Sequence, residues 1–157
     1  MNLTEKKVLS ILETEKYAYI ATTDKSNIDN AVIAFANEGF RIYFGAYSDT
    51  LKCRNLAVNP AAALCISTLQ IHGTVKLISH GSPEFDEKIK AYSEKFPAYA
   101  RVFSREMNEL YEIIPSVIWN YDPVQGEMFR EKLIFDAEYY EKLDPYESPG
   151  EYDNRKK

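Results

Sequence analysis

The stretch Arg41–Ile66, RIYFGAYSDTLKCRNLAVNPAAALCI, carries the strongest structural signals in the chain. Its two ends are rich in residues that favour β-strands. Between them, Asp49 or Thr50 can cap a short amphipathic helix. That helix should end before Pro60, because the residue that precedes a proline avoids the helical region. We therefore predict a strand, a short helix and a second strand.

The residues before this stretch predict one helix followed by an antiparallel meander. Thr4 can cap the first helix, which we expect to end near Lys16. Three segments rich in β-formers follow, separated by the turn signals KSN and EG; they read YAYIATTD, IDNAVIAFAN and FRIYFGAY.

The residues after it predict two strands, helices and a closing hairpin. AAALCISTL and IHGTVKLISH read as strands, and Gly73 indicates a β-bulge or a close approach to the backbone. Ser82 caps a further helix with Pro83 in its first position. Pro97 should begin an irregular helical stretch to about Leu110. YEIIPSVIWNYD and EMFREKLIFD then form a hairpin.

Together these elements predict a mainly β protein with helices (α+β), in which six or seven antiparallel strands form a small barrel with peripheral helices. A doubly wound α/β fold is disfavoured, because strands and helices do not alternate and neither GxGxxG nor GxxxxGK[ST] occurs. One domain should cover residues 1–143. Residues 144–157 mix charge, Pro, Gly and Tyr without periodicity and predict an extended or disordered tail.

Composition and charge exclude several classes of partner. A formal net charge of −5 argues against nucleic acid, which needs a concentrated positive surface. No run approaches the ~20 apolar residues that span a bilayer. Cys53 and Cys65 form no disulfide framework, and the N-terminus lacks a signal peptide, so we expect a cytoplasmic protein. His72 and His80 lack partners at metal-ligand spacing, so we predict no metal.

The helix predicted after Tyr47 could bind an anion at its N-terminus. Unpaired backbone N–H groups and the helix dipole would act together with the Thr50 hydroxyl and the Lys52 charge. Arg54 should point to the other side of the helix, because residues two apart do not share a face. From these residues alone, a capped and solvent-exposed surface helix is the simpler interpretation.

The order and spacing of these motifs resemble the FMN-binding split barrels related to pyridoxamine 5′-phosphate oxidase. In that family an aromatic strand end leads into a Ser/Thr-x-Lys-x-x-Asn-Leu-x-x-Asn-Pro helix, and a later strand carries x-Gly-x-Ala/Val. The matching residues are Thr50, Lys52, Asn55, Leu56, Asn59, Pro60 and Gly73. The resemblance covers roughly Tyr17 to Ser79, and the closing strands fit more loosely.

The resemblance implies a split-barrel homodimer with FMN at the subunit interface and a small-molecule redox substrate. The phosphate would lie near Thr50 and Lys52, and the ring along the middle of the second strand. The cofactor contacts that it implies are Val32, Ile33, Ala34, Ala46, Tyr47, Thr50, Leu51, Lys52, Gln70 and Trp119.

The chain also departs from the family pattern. It lacks the C-terminal Arg-x-His signature of the oxidase, so we do not expect vitamin B6 oxidation. The region of Thr68 and Gln70 replaces an Arg-Gln pair, and Ala46 replaces a Thr.

These observations give a leading function and two alternatives. The leading one is an FMN-binding flavoprotein, an oxidoreductase of unknown substrate, in which no residue stands out as a general acid or base. The same barrel could instead bind haem or a deazaflavin cofactor. A third possibility is a non-enzymatic module that stores or senses flavin.

Overall fold

A computed structural model describes residues 1–98, 101, 108–122, 130–143 and 155. Its helices are α1 (Leu3–Thr14), α2 (Leu51–Val58), α3 (Pro83–Lys95) and α4 (Ala137–Glu141). Its strands are β1 (Tyr17–Thr23), β2 (Ile28–Glu38), β3 (Arg41–Tyr47), β4 (Ala61–Ile66), β5 (Leu69–Ile78), β6 (Asn108–Tyr121) and β7 (Arg130–Ile134). Every helix in this part of the chain is too short or too polar to cross a membrane.

Six antiparallel strands close into a barrel, and a seventh extends it, as the sequence predicted. The strand order is β3-β2-β1-β4-β5-β6-β7, and pairing between β3 and β6 closes the first six strands. Alternate residues point inward along each strand. The interior is therefore lined by large apolar side chains, among them Ile20, Phe35, Phe44, Leu64 and Ile71.

The barrel splits between β2 and β3. These strands pair only from Phe35 to Glu38 and from Arg41 to Phe44. Before Phe35, β2 pairs with β1 alone, and after Phe44, β3 pairs with β6 alone. Within the described part of the chain, the first half of β2 therefore has one edge without a strand partner.

Helix α2 follows β3 directly and packs against β1 and β2. The buried amide of Asn55 fixes this position, because its Nδ2 donates to Thr22 Oγ1 at 3.2 Å and to Asn27 Oδ1 at 3.1 Å. The helix ends at Val58, before the Asn-Pro pair, as predicted. Asn55 is thus a structural residue that sets where the N-terminus of α2 lies.

Gly73 lies at a β-bulge, as predicted. Across β5 and β6, His72 faces Val117 while Gly73 faces Pro115, so β6 contains one extra residue, Ser116. A Cβ on Gly73 would lie 2.6 Å from the carbonyl oxygen of Ile114. No other residue fits here without moving the backbone.

Helix α3 covers the outer face of the barrel near the split. Ser82 caps it through a 3.1 Å bond from Phe85 N–H, and Pro83 occupies its first turn, as predicted. Tyr92 donates its hydroxyl hydrogen to the carbonyl of Ala34 at 2.7 Å. This bond satisfies a backbone group of β2 where the strand leaves β3.

Four local predictions were wrong. Asn2, not Thr4, caps α1, because Asn2 and Glu5 form a reciprocal capping box, and the helix ends at Thr14 rather than near Lys16. Thr4 instead donates its hydroxyl hydrogen to Glu131 at 3.0 Å. The strand predicted over residues 61–69 stops at Ile66, where a turn begins.

The predicted helical stretch from Pro97 also ends too late, since residues 108–110 already belong to β6. Residues 97, 98 and 101 are helical, and the rest of that stretch lies outside the described residues. Helix α4 was not predicted. The predicted tail, residues 144–157, is described only at Arg155.

Candidate functional site

The N-terminus of α2 presents unpaired backbone donors. The first bond inside the helix runs from Arg54 N–H to Thr50 C=O at 3.1 Å. The N–H groups of Leu51, Lys52 and Cys53 therefore have no helical partner. With the helix dipole, this geometry favours an anion.

Thr50 occupies the N-cap position, but its side chain does not cap the helix. Its hydroxyl donates back to the carbonyl of Tyr47 at 2.8 Å, and its N–H donates to the same oxygen at 3.1 Å. The hydroxyl hydrogen is thus committed to the turn between β3 and α2. In this arrangement Thr50 shapes the turn, and the helix donors remain available to another acceptor.

Lys52 and Arg54 lie on different sides of α2, as helical geometry predicted. Lys52 is half-buried and forms no ion pair with any described residue. Arg54 is exposed and, together with Cys53 and Tyr111, lines a cavity of about 230 Å³. Burial raises the pKa of Tyr111, as do its hydrogen bonds to Cys53 and to Glu109. The uncommitted charge nearest the helix N-terminus is therefore that of Lys52.

Burial alternates along β2, the strand predicted to contact the ring, so its side chains point either outward or into the barrel. Val32 is exposed and Ala34 half-exposed on the outer face of β2, whereas Ile33 is buried in the barrel. Ala46 is also buried, and Tyr47 is exposed at the end of β3. Ile33 and Ala46 can offer a ligand only their backbone.

The outer face of β1 and β2 is unusually apolar. Tyr17, Tyr19, Ile28 and Val32 are 57%, 56%, 81% and 60% exposed, and all four point outward. Tyr19 faces Val32 across the two strands, and Ile28 lies at the start of β2 opposite Thr23. We call these four residues the apolar face. Exposed clusters of large apolar side chains are typical of interaction surfaces.

A second group of predicted residues lies elsewhere on the barrel. Gln70 and Trp119 face each other across β5 and β6. Trp119 is buried, its ring lies edge-on to His72 with centroids 5.2 Å apart, and its Nε1 has no hydrogen-bond partner among the described residues. His72 belongs to the same group, because its Nε2 lies 3.3 Å from Gln70 Nε2.

Sequence reasoning missed Tyr139, the last member of this second group. Its hydroxyl lies 3.0 Å from His72 Nδ1. Tyr139 is carried by α4, whose cap Asp136 accepts a bond from Tyr139 N–H at 3.0 Å. An Asp before AEYYE was the available signal, but a helix of five residues leaves almost no periodicity to detect.

The two groups of residues are separate within one protomer. Strands β1 and β4 lie between β2 and β5, so three interstrand steps, or roughly 14 Å along the sheet, divide Val32 from Gln70. No group of three or more His, Cys, Asp or Glu side chains in the described residues could hold a metal ion.

The sequence profile described as pyridoxamine 5′-phosphate oxidase matches residues 4–128. The chain belongs to the pyridoxamine 5′-phosphate oxidase family. This match extends the resemblance found in the central strands across most of the barrel. No curated protein matches the sequence.

Solved structures share the fold of this family member. General Stress Protein 26 from Bacillus anthracis is 17% identical, with a TM-score of 0.62 over 76% of this chain and 95% of its own. The haem storage protein HutZ from Vibrio cholerae is 17% identical, with a TM-score of 0.64 over 73% of this chain and 91% of its own. A haem-binding protein from Mycobacterium smegmatis is 12% identical, with a TM-score of 0.73 over 85% of this chain and 59% of its own.

Proposed function

We propose that this protein is an FMN-binding flavoprotein, an oxidoreductase of the pyridoxamine 5′-phosphate oxidase-related type that acts on a small-molecule substrate. The N-terminus of α2 is the observation that carries the proposal. It combines unpaired N–H groups with Lys52, in a protein whose net charge is −5. A local site of this kind can hold a phosphate that the protein as a whole would repel.

The residues around the split suit the rest of the cofactor. Val32 and Ala34 offer an apolar outer surface on β2, next to an edge that lacks a strand partner before Phe35. In our proposal Lys52 holds the phosphate, and the backbone around Ile33 and Ala46 contacts the ring. FMN supplies the electron or hydride chemistry when bound, and the protein orients it.

The separation of the two residue groups supports a homodimer. Gln70 and Trp119 lie too far around the barrel to meet a ligand beside Val32 of the same protomer. A second protomer seated on the apolar face would bring its own Gln70 and Trp119 toward that ligand. The homodimer would also remove large apolar side chains from water, a stabilisation of about 25 cal/mol per Å² buried.

Haem is the second candidate, since two proteins of the same fold are described as haem-storage and haem-binding proteins. The histidines weigh against it. The sequence has two, and both are engaged: His72 Nδ1 lies 3.0 Å from the Tyr139 hydroxyl, and His80 Nε2 bonds to the carbonyl of Asn108. A histidine-ligated haem would have to break one of these contacts.

Parallel titrations of the dialysed protein with FMN, riboflavin and haemin test the proposal. We expect one FMN per protomer with quenched flavin fluorescence, and weaker binding of riboflavin, which lacks the phosphate. Saturable haemin binding with a shifted Soret band and no FMN binding would replace the proposal with the haem alternative.

The proposed dimer is tested by light scattering on the wild type and on two matched variants. Tyr19→Lys places a charge on the apolar face and should convert the dimer into an 18.1 kDa monomer with loss of FMN binding. Leu3→Lys alters a more exposed apolar side chain, on α1, and should leave the dimer intact. A wild-type monomer, or equal behaviour of the two variants, contradicts the proposed interface.

A further inference from the structure

The cavity of about 230 Å³ beside α2 lies at the rim of the barrel, where β3 and β5 end and β6 begins. Leu56 of α2 and Val75 and Leu77 of β5 give it apolar walls. Its volume equals that of about eight water molecules in the liquid, which is room for a small metabolite and not for a flavin. The mouths of β-barrels are common positions for sites of this kind.

Two opposite charges line this cavity from different elements. Arg54 projects from α2, and Glu109 projects from the start of β6. Neither side chain forms an ion pair with the other or with any further residue that the structure describes. A cation and an anion that share a cavity without pairing can each bind a charged group of a ligand placed between them.

The carboxylate is held in position by a buried tyrosine. Tyr111 is packed against Phe44, with ring centroids 5.1 Å apart, and its hydroxyl donates to Glu109 Oε2. Burial and its hydrogen bonds to Glu109 and Cys53 raise the pKa of Tyr111, so the phenol keeps its hydrogen at pH 7. The other carboxylate oxygen, Oε1, receives no hydrogen bond from a described residue and remains open to a ligand.

We propose that this cavity binds a free α-amino acid with a small aliphatic side chain. Glu109 accepts hydrogen bonds from the ammonium group, the guanidinium fork of Arg54 binds the carboxylate, and the apolar walls contact the side chain. A ligand with a single charge would be attracted by one of the two residues and repelled by the other, so the cavity selects a zwitterion.

The amino-acid site is independent of the proposed flavin site and of the proposed dimer. None of its lining residues belongs to the expected cofactor contacts, and none belongs to the apolar face. Lys52, which we assign to the phosphate, lies on a different side of α2 from Arg54. FMN binding and amino-acid binding can therefore fail separately.

L-Valine is the probe, with isovalerate as its analogue without the ammonium group and isobutylamine as its analogue without the carboxylate. We expect saturable binding of L-valine to the full-length protein, followed through the methyl resonances of Val75 and Leu77. Isovalerate should bind about tenfold more weakly, the lower end for a hydrogen bond to a charged group. Isobutylamine should bind about fivefold more weakly, because the exposed Arg54 is partly screened by water.

Three matched charge removals test the location. Glu109→Gln keeps an acceptor for the Tyr111 hydroxyl and should abolish the preference for L-valine over isovalerate, and Arg54→Gln should abolish the preference over isobutylamine. Lys76→Gln is the control, because Lys76 lies on β5 outside the cavity, 3.7 Å from Glu84, and its removal should leave L-valine affinity unchanged. Circular dichroism checks that all three variants fold.

Several outcomes would overturn the amino-acid site. These are methyl resonances that do not respond to L-valine, an analogue that binds as tightly as L-valine, and wild-type affinity in Arg54→Gln or Glu109→Gln. A loss in Lys76→Gln as large as that in Arg54→Gln would also overturn it, because the effect would then reflect net charge and not a contact.

Discussion

Replacement of Lys52 by alanine isolates the charge that the proposed phosphate site depends on. Lys52 is half-buried in the first turn of α2 and has no ion-pair partner among the described residues, so its removal leaves no buried carboxylate unpaired. Alanine is the best helix former, and α2 remains anchored through Asn55. The variant should therefore fold normally and lose only the interaction with the ligand.

The size of the effect follows from one charge-assisted hydrogen bond. Such a bond contributes about 1.5–3 kcal/mol, which corresponds to a loss of roughly 10- to 150-fold in FMN affinity. Riboflavin lacks the phosphate, so its affinity should change by less than about twofold. Titration of each apo-protein, followed by quenching of flavin fluorescence, measures both constants.

Arg54→Ala is the internal control. Arg54 is exposed and borders the cavity on the other side of α2, and exposed charges usually contribute less than about 1 kcal/mol. Equal FMN affinity in wild type and Lys52→Ala would refute the assignment of the phosphate site. Equal losses for FMN and riboflavin would show that the variant disturbs the pocket and not a phosphate contact.

Three further predictions concern stability. Gly73→Ala should lower the free energy of unfolding by about 1–3 kcal/mol in a urea titration, because the new methyl meets the Ile114 carbonyl, and an unchanged free energy of unfolding would contradict this close approach. Asn55→Ala should lower it by about 1–3 kcal/mol through the loss of one buried and one partly buried hydrogen bond, and a change under about 0.5 kcal/mol would contradict the anchoring role of the amide. Burial lowers the pKa of Lys95 from 10.5 to about 8. Between about pH 8 and pH 10.5 the unfolded chain therefore binds a proton that the folded protein has released, so the free energy of unfolding rises with pH across this window. The free energy of unfolding of Lys95→Met relative to wild type should fall across that window in chemical denaturation at several pH values, and a constant difference contradicts the shift.

The central part of the fold was predictable because its signals are local. The Asn-Pro stop sets the end of α2, although the Thr50 hydroxyl at its start bonds to Tyr47 instead of capping the helix. The bulge at Gly73 follows from a glycine in a strand of β-formers. The opposite orientations of Lys52 and Arg54 follow from helix periodicity alone.

The errors arose where a local signal was ambiguous or where distant residues decide the outcome. Asn2 and Thr4 are both good caps, and only the contact of Thr4 with Glu131, far along the chain, assigns Thr4 a different role. β6 begins at Asn108 because Asn108 and Glu109 pair with β3, and from Leu110 the strand pairs with β5 as well, which no local propensity encodes.

Only part of the candidate site could be predicted from the sequence, because some of its contacts join residues that are distant along the chain. The sequence identifies the donors of α2, because a motif of fixed spacing carries them. The contact between His72 and Tyr139 depends on the extra residue at Ser116 and on the short helix α4, so neither residue signals the other. The separation of Val32 from Gln70 emerges only from the strand order.

The visible absorption spectrum of the protein as purified, followed by mass spectrometry of the molecule released on denaturation, tests the proposed function most directly. The proposal predicts flavin absorption bands and a released mass equal to that of FMN, at one per protomer. A Soret band with released haem, a deazaflavin mass, or a colourless protein that remains unbound after incubation with FMN would contradict it.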